Sequence, residues 1–120
     1  MGAAVPALAQ TSRPYVVVRS GAPIEIAADA AINPDCRSLG QTNVNLLVAP
    51  RRGNVMVGPG MHYNAYAPGN PRSACNHRKL PATIITYRSN AGFTGQDSFV
   101  VEEIFPTGTA IKQRFNLEVR

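Results

Sequence analysis

Hydrophobic positions along this chain recur at every second residue, and no stretch sustains a helical period. The clearest case is the C-terminal segment. Ile111, Gln113, Phe115, Leu117 and Val119 share one face, and Lys112, Arg114, Asn116 and Glu118 share the other. Successive side chains of a strand point to opposite sides of the sheet, so this pattern predicts a strand with one buried face. Upstream, Thr83, Ile85 and Tyr87 alternate with Ile84, Thr86 and Arg88, and Phe99, Val101 and Glu103 alternate with Val100 and Glu102. Val44, Leu46 and Val48 alternate with Asn43, Asn45 and Leu47. Residues 15–18 are a β-branched run, and Ile24-Glu25-Ile26 is a short alternating one. Turn signals fall at Ser20-Gly21-Ala22-Pro23, Asn33-Pro34-Asp35 and Pro106-Thr107-Gly108. The alanine-rich residues 27–31 read as one helical turn. Pro50-Arg51-Arg52-Gly53 reads as the basic turn of a β-hairpin. Residues 58–81, rich in Gly and Pro, read as a long loop with a short strand around residues 62–65. About seven short strands at these spacings predict an all-β fold, an antiparallel β-sandwich.

Length and composition narrow this picture without changing it. A chain of 120 residues is one domain and can bury a core of its own. Ten Gly, ten Pro and no Trp suit a chain that turns often. Charge adds more. The net charge is +5, and no Asp or Glu occurs between Asp35 and Asp97. That span carries Arg37, Arg51, Arg52, Arg72, Arg78, Lys79 and Arg88. A one-sign region attracts polyanions through a field that salt screens. The alternative is a solvated basic surface with no dedicated partner.

The first ten residues, MGAAVPALAQ, resemble the tail of a secretory signal peptide with Ala7-Leu8-Ala9 as its cleavage site. The charged start and most of the apolar stretch of such a leader are missing, so residues 1–10 are read as a leader remnant or a disordered tail. The domain is expected over residues 11–120. No later segment is long and apolar enough to span a bilayer as a helix. Two cysteines, Cys36 and Cys75, behind an export signal suggest one disulfide. The expected location is the periplasm, the cell surface or the medium.

Candidate chemistry is sparse. The histidines are His62 and His77, and no Ser near them resembles an activated nucleophile. Glu102 and Glu103 are adjacent on a strand and face opposite ways, so they do not form an acid–base pair. Cys36, Cys75, His62 and His77 offer a zinc ligand set in principle, but their spacing matches no compact zinc module. A disulfide is the preferred reading of the cysteines, with no metal and no cofactor expected. A metal-dependent or hydrolytic enzyme is the least favoured reading. The remaining signal is basic and aromatic. Arg51, Arg52, Arg72, Arg78 and Lys79 are expected to converge near one end of the sandwich, with Tyr63 and Tyr66 interleaved. Such a patch suits an anionic envelope polymer or a protein partner rather than nucleic acid.

From Pro50 onward the chain resembles the bacterial immunoglobulin-like, cadherin-like domains of secreted and surface proteins. The resemblance is carried by Pro50 and Gly53, by Tyr87 at a strand end, and by Gly92-Phe93-Thr94-Gly95-Gln96-Asp97-Ser98-Phe99. It implies an immunoglobulin-like sandwich in which Gly92, Phe93, Gly95, Asp97 and Phe99 build a corner between strands. Glycines there allow positive φ, Asp97 accepts backbone N–H bonds, and the phenylalanines pack inward. Some cadherin-like relatives bind calcium through clustered acids, and the acid-free span leaves no such cluster here. The resemblance implies binding or assembly rather than catalysis. The leading expectation is a non-catalytic binding module. The alternative is a structural subunit that self-associates through exposed strand edges at residues 15–18 or 111–119.

Overall fold

The computed structural model describes residues 15–120. The expected leader remnant at residues 1–10 lies outside the described residues. Seven strands form, β1 (Val16–Val18), β2 (Ile24–Asp29), β3 (Asn43–Val48), β4 (Gly53–Tyr63), β5 (Lys79–Ser89), β6 (Gly95–Ile104) and β7 (Ala110–Val119), with one short 3₁₀ helix at Ser73–His77. One sheet has the order β1-β7-β6-β3 and the other β2-β5-β4. All neighbours are antiparallel except β1, which runs parallel to β7. Two sheets of four and three strands thus stack as an immunoglobulin-like sandwich, with β1 joined to β7 rather than to β2.

The core sits where the alternation predicts in β5, β6 and β7, whereas Leu46 and Val48 of β3, expected on a buried face with Val44, are exposed. Ile85 and Tyr87 of one sheet meet Phe99, Val101, Leu117 and Val119 of the other, with Val18 closing the margin. Phe99 lies between two rings, 6.2 Å from Tyr87 and 5.1 Å from Phe115. The β6–β7 hairpin is continuous in register from Ile104↔Ala110 to Gly95↔Val119. Its turn is closed by the Gly108 N–H donating to the Phe105 carbonyl, with Gly108 at φ 96°.

A second, smaller cluster lies beyond the sandwich. Ile32, Cys75 and Leu80 are buried together, with Cys36 and Tyr66 against them. The Cys36–Cys75 disulfide, with Cα atoms 5.5 Å apart, ties the β2–β3 connection to the 3₁₀ helix. The expected disulfide is therefore present, and the zinc alternative loses both of its sulfur ligands.

Four further local expectations differ from the structure. Residues 50–53 do not turn a hairpin. β3 pairs with β6 and β4 pairs with β5, so this turn carries the chain from one sheet to the other. The irregular stretch is shorter than residues 58–81, because β4 runs on to Tyr63 and β5 starts at Lys79. Pro59 is tolerated because β4 is an edge strand, where a missing N–H is compatible with the sheet. Residues 27–29 are strand rather than helix, since pairing with β5 outweighs the helical preference of Ala27 and Ala28. Finally, residues 111–119 are not a free edge. β6 lies along the whole of β7, and β1 covers Leu117–Val119 on the other side.

Candidate functional site

The corner that joins β5 to β6 is organised by one carboxylate. Asp97 is inward-facing and 7% exposed. Its Oδ1 accepts from the N–H of Arg51 at 3.0 Å and of Ser98 at 2.9 Å. Its Oδ2 accepts from the N–H of Arg52 at 3.1 Å and from the Tyr87 hydroxyl at 2.8 Å. The bonds expected of Asp97 are thus made, but two of them reach across some 45 residues to the inter-sheet turn. Burial, then the hydrogen bond to Asp97 and its charge, push the Tyr87 hydroxyl well above the ordinary tyrosine range.

Glycine is required at two points of this corner. Gly95 has φ 133°. Gly53 lies so close to β5 that a Cβ would stand 2.5 Å from the Arg88 carbonyl and 2.8 Å from the Tyr87 ring. The turn is therefore pressed against the ring whose hydroxyl holds Asp97. Backbone N–H groups consumed in this way fix residues 51 and 52 while leaving both guanidinium side chains outside.

Those side chains border a groove of about 620 Å³ on the outer face of the larger sheet. Arg51, Arg52 and Arg114 line it, together with Tyr15, Phe93, Gln96, Ser98 and Asn116. Asp97 is the only acid among the described lining residues, and its oxygens face backbone donors. The Arg52 guanidinium stands 5.8 Å from the centre of the Phe93 ring. Arg114 Nη1 donates to Ser98 Oγ at 3.2 Å, and the Tyr15 hydroxyl donates to Gln96 Oε1 at 3.3 Å. Arginine presents planar forks of donors suited to carboxylate, sulfate or phosphate oxygens. Chemically, the groove is a set of fixed cations with neutral amides beside them.

The sequence-predicted basic and aromatic residues do not form one patch. β4 is 11 residues long, and at about 3.3 Å per residue this separates its ends by roughly 33 Å. Arg51 and Arg52 precede its start, whereas Tyr63 ends it opposite Lys79. Lys79 Nζ lies 5.7 Å from the Tyr63 ring centre, and Arg78 precedes it in the chain. Arg72 Nε donates to the Ile32 carbonyl at 2.7 Å, so it braces the disulfide region. Tyr66 packs on the disulfide cluster, and its backbone N–H and carbonyl are both bonded to the Asn76 side chain.

Sequence reasoning missed Arg114, Asn116 and Gln96 as partners of Arg51 and Arg52. A signal was available for two of them. A β6–β7 hairpin turning at residues 105–109 sets Asn116 opposite Ser98 and Arg114 opposite Val100, on the outer face. No family model, curated protein or solved structure matches the chain.

Proposed function

We propose that this is an exported, non-catalytic binding domain that holds an anionic group in the corner groove of Arg51, Arg52 and Arg114. The observation that carries the reading is the convergence of three guanidinium groups on one groove whose single acid is turned to backbone donors. A disulfide suits an oxidising compartment outside the cytoplasm. There the available polyanions are acidic polysaccharides and anionic headgroups of the envelope, and the motif at residues 92–99 resembles that of bacterial surface domains. Among the described residues no helix is long and apolar enough to cross a membrane.

Retention on an immobilised acidic polysaccharide tests the reading. Arg51→Glu/Arg52→Glu/Arg114→Glu is expected to abolish salt-sensitive retention. Arg78→Glu/Lys79→Glu/Arg88→Glu, outside the groove, changes the net charge equally and is expected to leave most of it. Equal losses in the two variants would show a diffuse field of charge and remove the groove.

A second reading has a specific observation behind it. β3 and β4 are outermost in their sheets, and Leu46, Leu47, Val48, Met56, Val57 and Met61 on them are exposed. Self-association would use these edges, or the expected edge at β1, which is outermost with Val16 and Val17 exposed, rather than β7. Light scattering over a concentration series separates the readings, since a strict monomer at high concentration is incompatible with assembly.

A further inference from the structure

The disulfide end of the sandwich contains a second cavity, of about 270 Å³. Its polar groups arrive from separate elements. Asp29 ends β2 and lies opposite Thr83 of β5. Cross-strand partners share a face, and Thr83 is 3% exposed, so Asp29 points to the interior side. Thr42, just before β3, is 1% exposed. Its carbonyl accepts from Thr83 Oγ1 at 2.6 Å, which fixes it across the gap. Asp29 Oδ2 and Thr42 Oγ1 are both shielded from solvent, and neither has a hydrogen-bond partner among the described residues. Both residues line the cavity. Buried polar atoms without partners are uncommon, and two in one cavity point to something that supplies donors.

The lining restricts what that is. Among the described residues no Lys, Arg or His borders the cavity. Pro59 and Pro81 give apolar walls, and Gln41 adds a further polar side chain. A hard divalent cation takes six or more oxygen ligands at fixed short distances. The described residues hold no group of three His, Cys, Asp or Glu able to supply such a site. An ammonium group asks for less. It has three donors on a compact tip, and its methylene stem is at home between apolar walls.

We propose that this cavity takes a primary ammonium group on an alkyl stem, seated on Asp29 and Thr42. The two sources of that chemistry are a free diamine and a lysine side chain of a partner protein. The site is separate from the arginine groove and of opposite charge preference, so it stands whether or not the groove binds anions.

Amide NMR titration of the full chain tests it with two probes. One is 1,5-diaminopentane, and the other is a lysine blocked at both backbone ends. Saturable shifts are expected around Asp29, Gln41, Thr42 and Thr83. Binding of the diamine alone assigns the site to free amines, and binding of both probes admits a partner's lysine. The Nε-acetylated form of the blocked lysine is expected to move nothing on the unmodified protein, a control that does not depend on any variant folding. Asp29→Asn is expected to weaken binding about tenfold by removing a charge-assisted hydrogen bond. Arg51→Glu is expected to change nothing at this site. The proposal is overturned if neither amine produces saturable shifts, if the acetylated probe binds equally well, or if Asp29→Asn binds like the parent.

Discussion

The two ends of this sandwich are held by different physics. At the corner end a single buried carboxylate accepts four hydrogen bonds and gathers β6, the inter-sheet turn and Tyr87 around itself. At the disulfide end a covalent bond and a three-residue cluster fasten long connections to each other. The corner carboxylate is saturated, so the arginine side chains there are displayed outward on a fixed backbone. Polar groups at the disulfide end are left over, so the opportunity there is inward. The two proposed sites differ in kind, one a groove lined by arginines and the other a cavity lined by Asp29 and Thr42.

Removing the corner carboxylate is the largest perturbation. Asp97→Ala leaves three backbone N–H groups and a tyrosine hydroxyl without their acceptor, at a cost of roughly 4–6 kcal/mol. Urea unfolding measures it, and a loss below about 1 kcal/mol would mean that water substitutes readily for the carboxylate. Reduction of the disulfide, or Cys36→Ser/Cys75→Ser, comes next. It opens a loop of 39 residues, with an expected cost of about 4 kcal/mol in the chain-entropy account. Hydrogen exchange sharpens the contrast. Amides around Ile32 and Leu80 should lose protection while those of β6 keep it, and a uniform loss would show that the two ends are one cooperative unit.

Tyr87→Phe is a milder test of the corner. It removes one of the four hydrogen bonds and should cost about 1–2 kcal/mol. It also has a pH signature. The folded state raises the Tyr87 pKa above its ordinary value of 10.0, so the folded state keeps the proton that the unfolded chain gives up. The stability from this group is fully present below about pH 10 and declines as pH rises above it. Alkaline unfolding curves should therefore fall less steeply for Tyr87→Phe than for the parent. Parallel curves would mean that the hydroxyl is not held as described. The smallest expected effect is that of Arg114→Gln, a surface change expected to leave stability within about 0.5 kcal/mol. It should still lower retention on an acidic polysaccharide, and unchanged retention would confine the groove's contribution to Arg51 and Arg52.

Much of this molecule can be read from its residues because a strand's side chains alternate with period two. Thr83, Ile85 and Tyr87, and likewise Leu117 and Val119, declare their buried face in that way. Gly92-Phe93-Thr94-Gly95-Gln96-Asp97 declares a corner, because positive φ and a short acceptor side chain are local demands. The cysteine pairing was legible because only two cysteines exist. Three things were decided only in the folded chain. Residues 50–53 must turn in either case, and local turn chemistry does not say which sheet receives the next strand. Gly58-Pro59-Gly60 looks like a break, yet an edge strand accommodates it, and the resulting length of β4 drives the basic residues apart. Arg114 and Asn116 join Arg51 and Arg52, and Thr42 joins Asp29, because the pairing of strands and the stacking of sheets bring together residues far apart in the chain. Alternation and turn chemistry are properties of neighbouring residues, so the sequence alone determined the corner, the disulfide and most of the strands, though not the full length of β2 and β4. Contact between distant segments depends on register and sheet assignment, so both candidate sites came from tertiary structure.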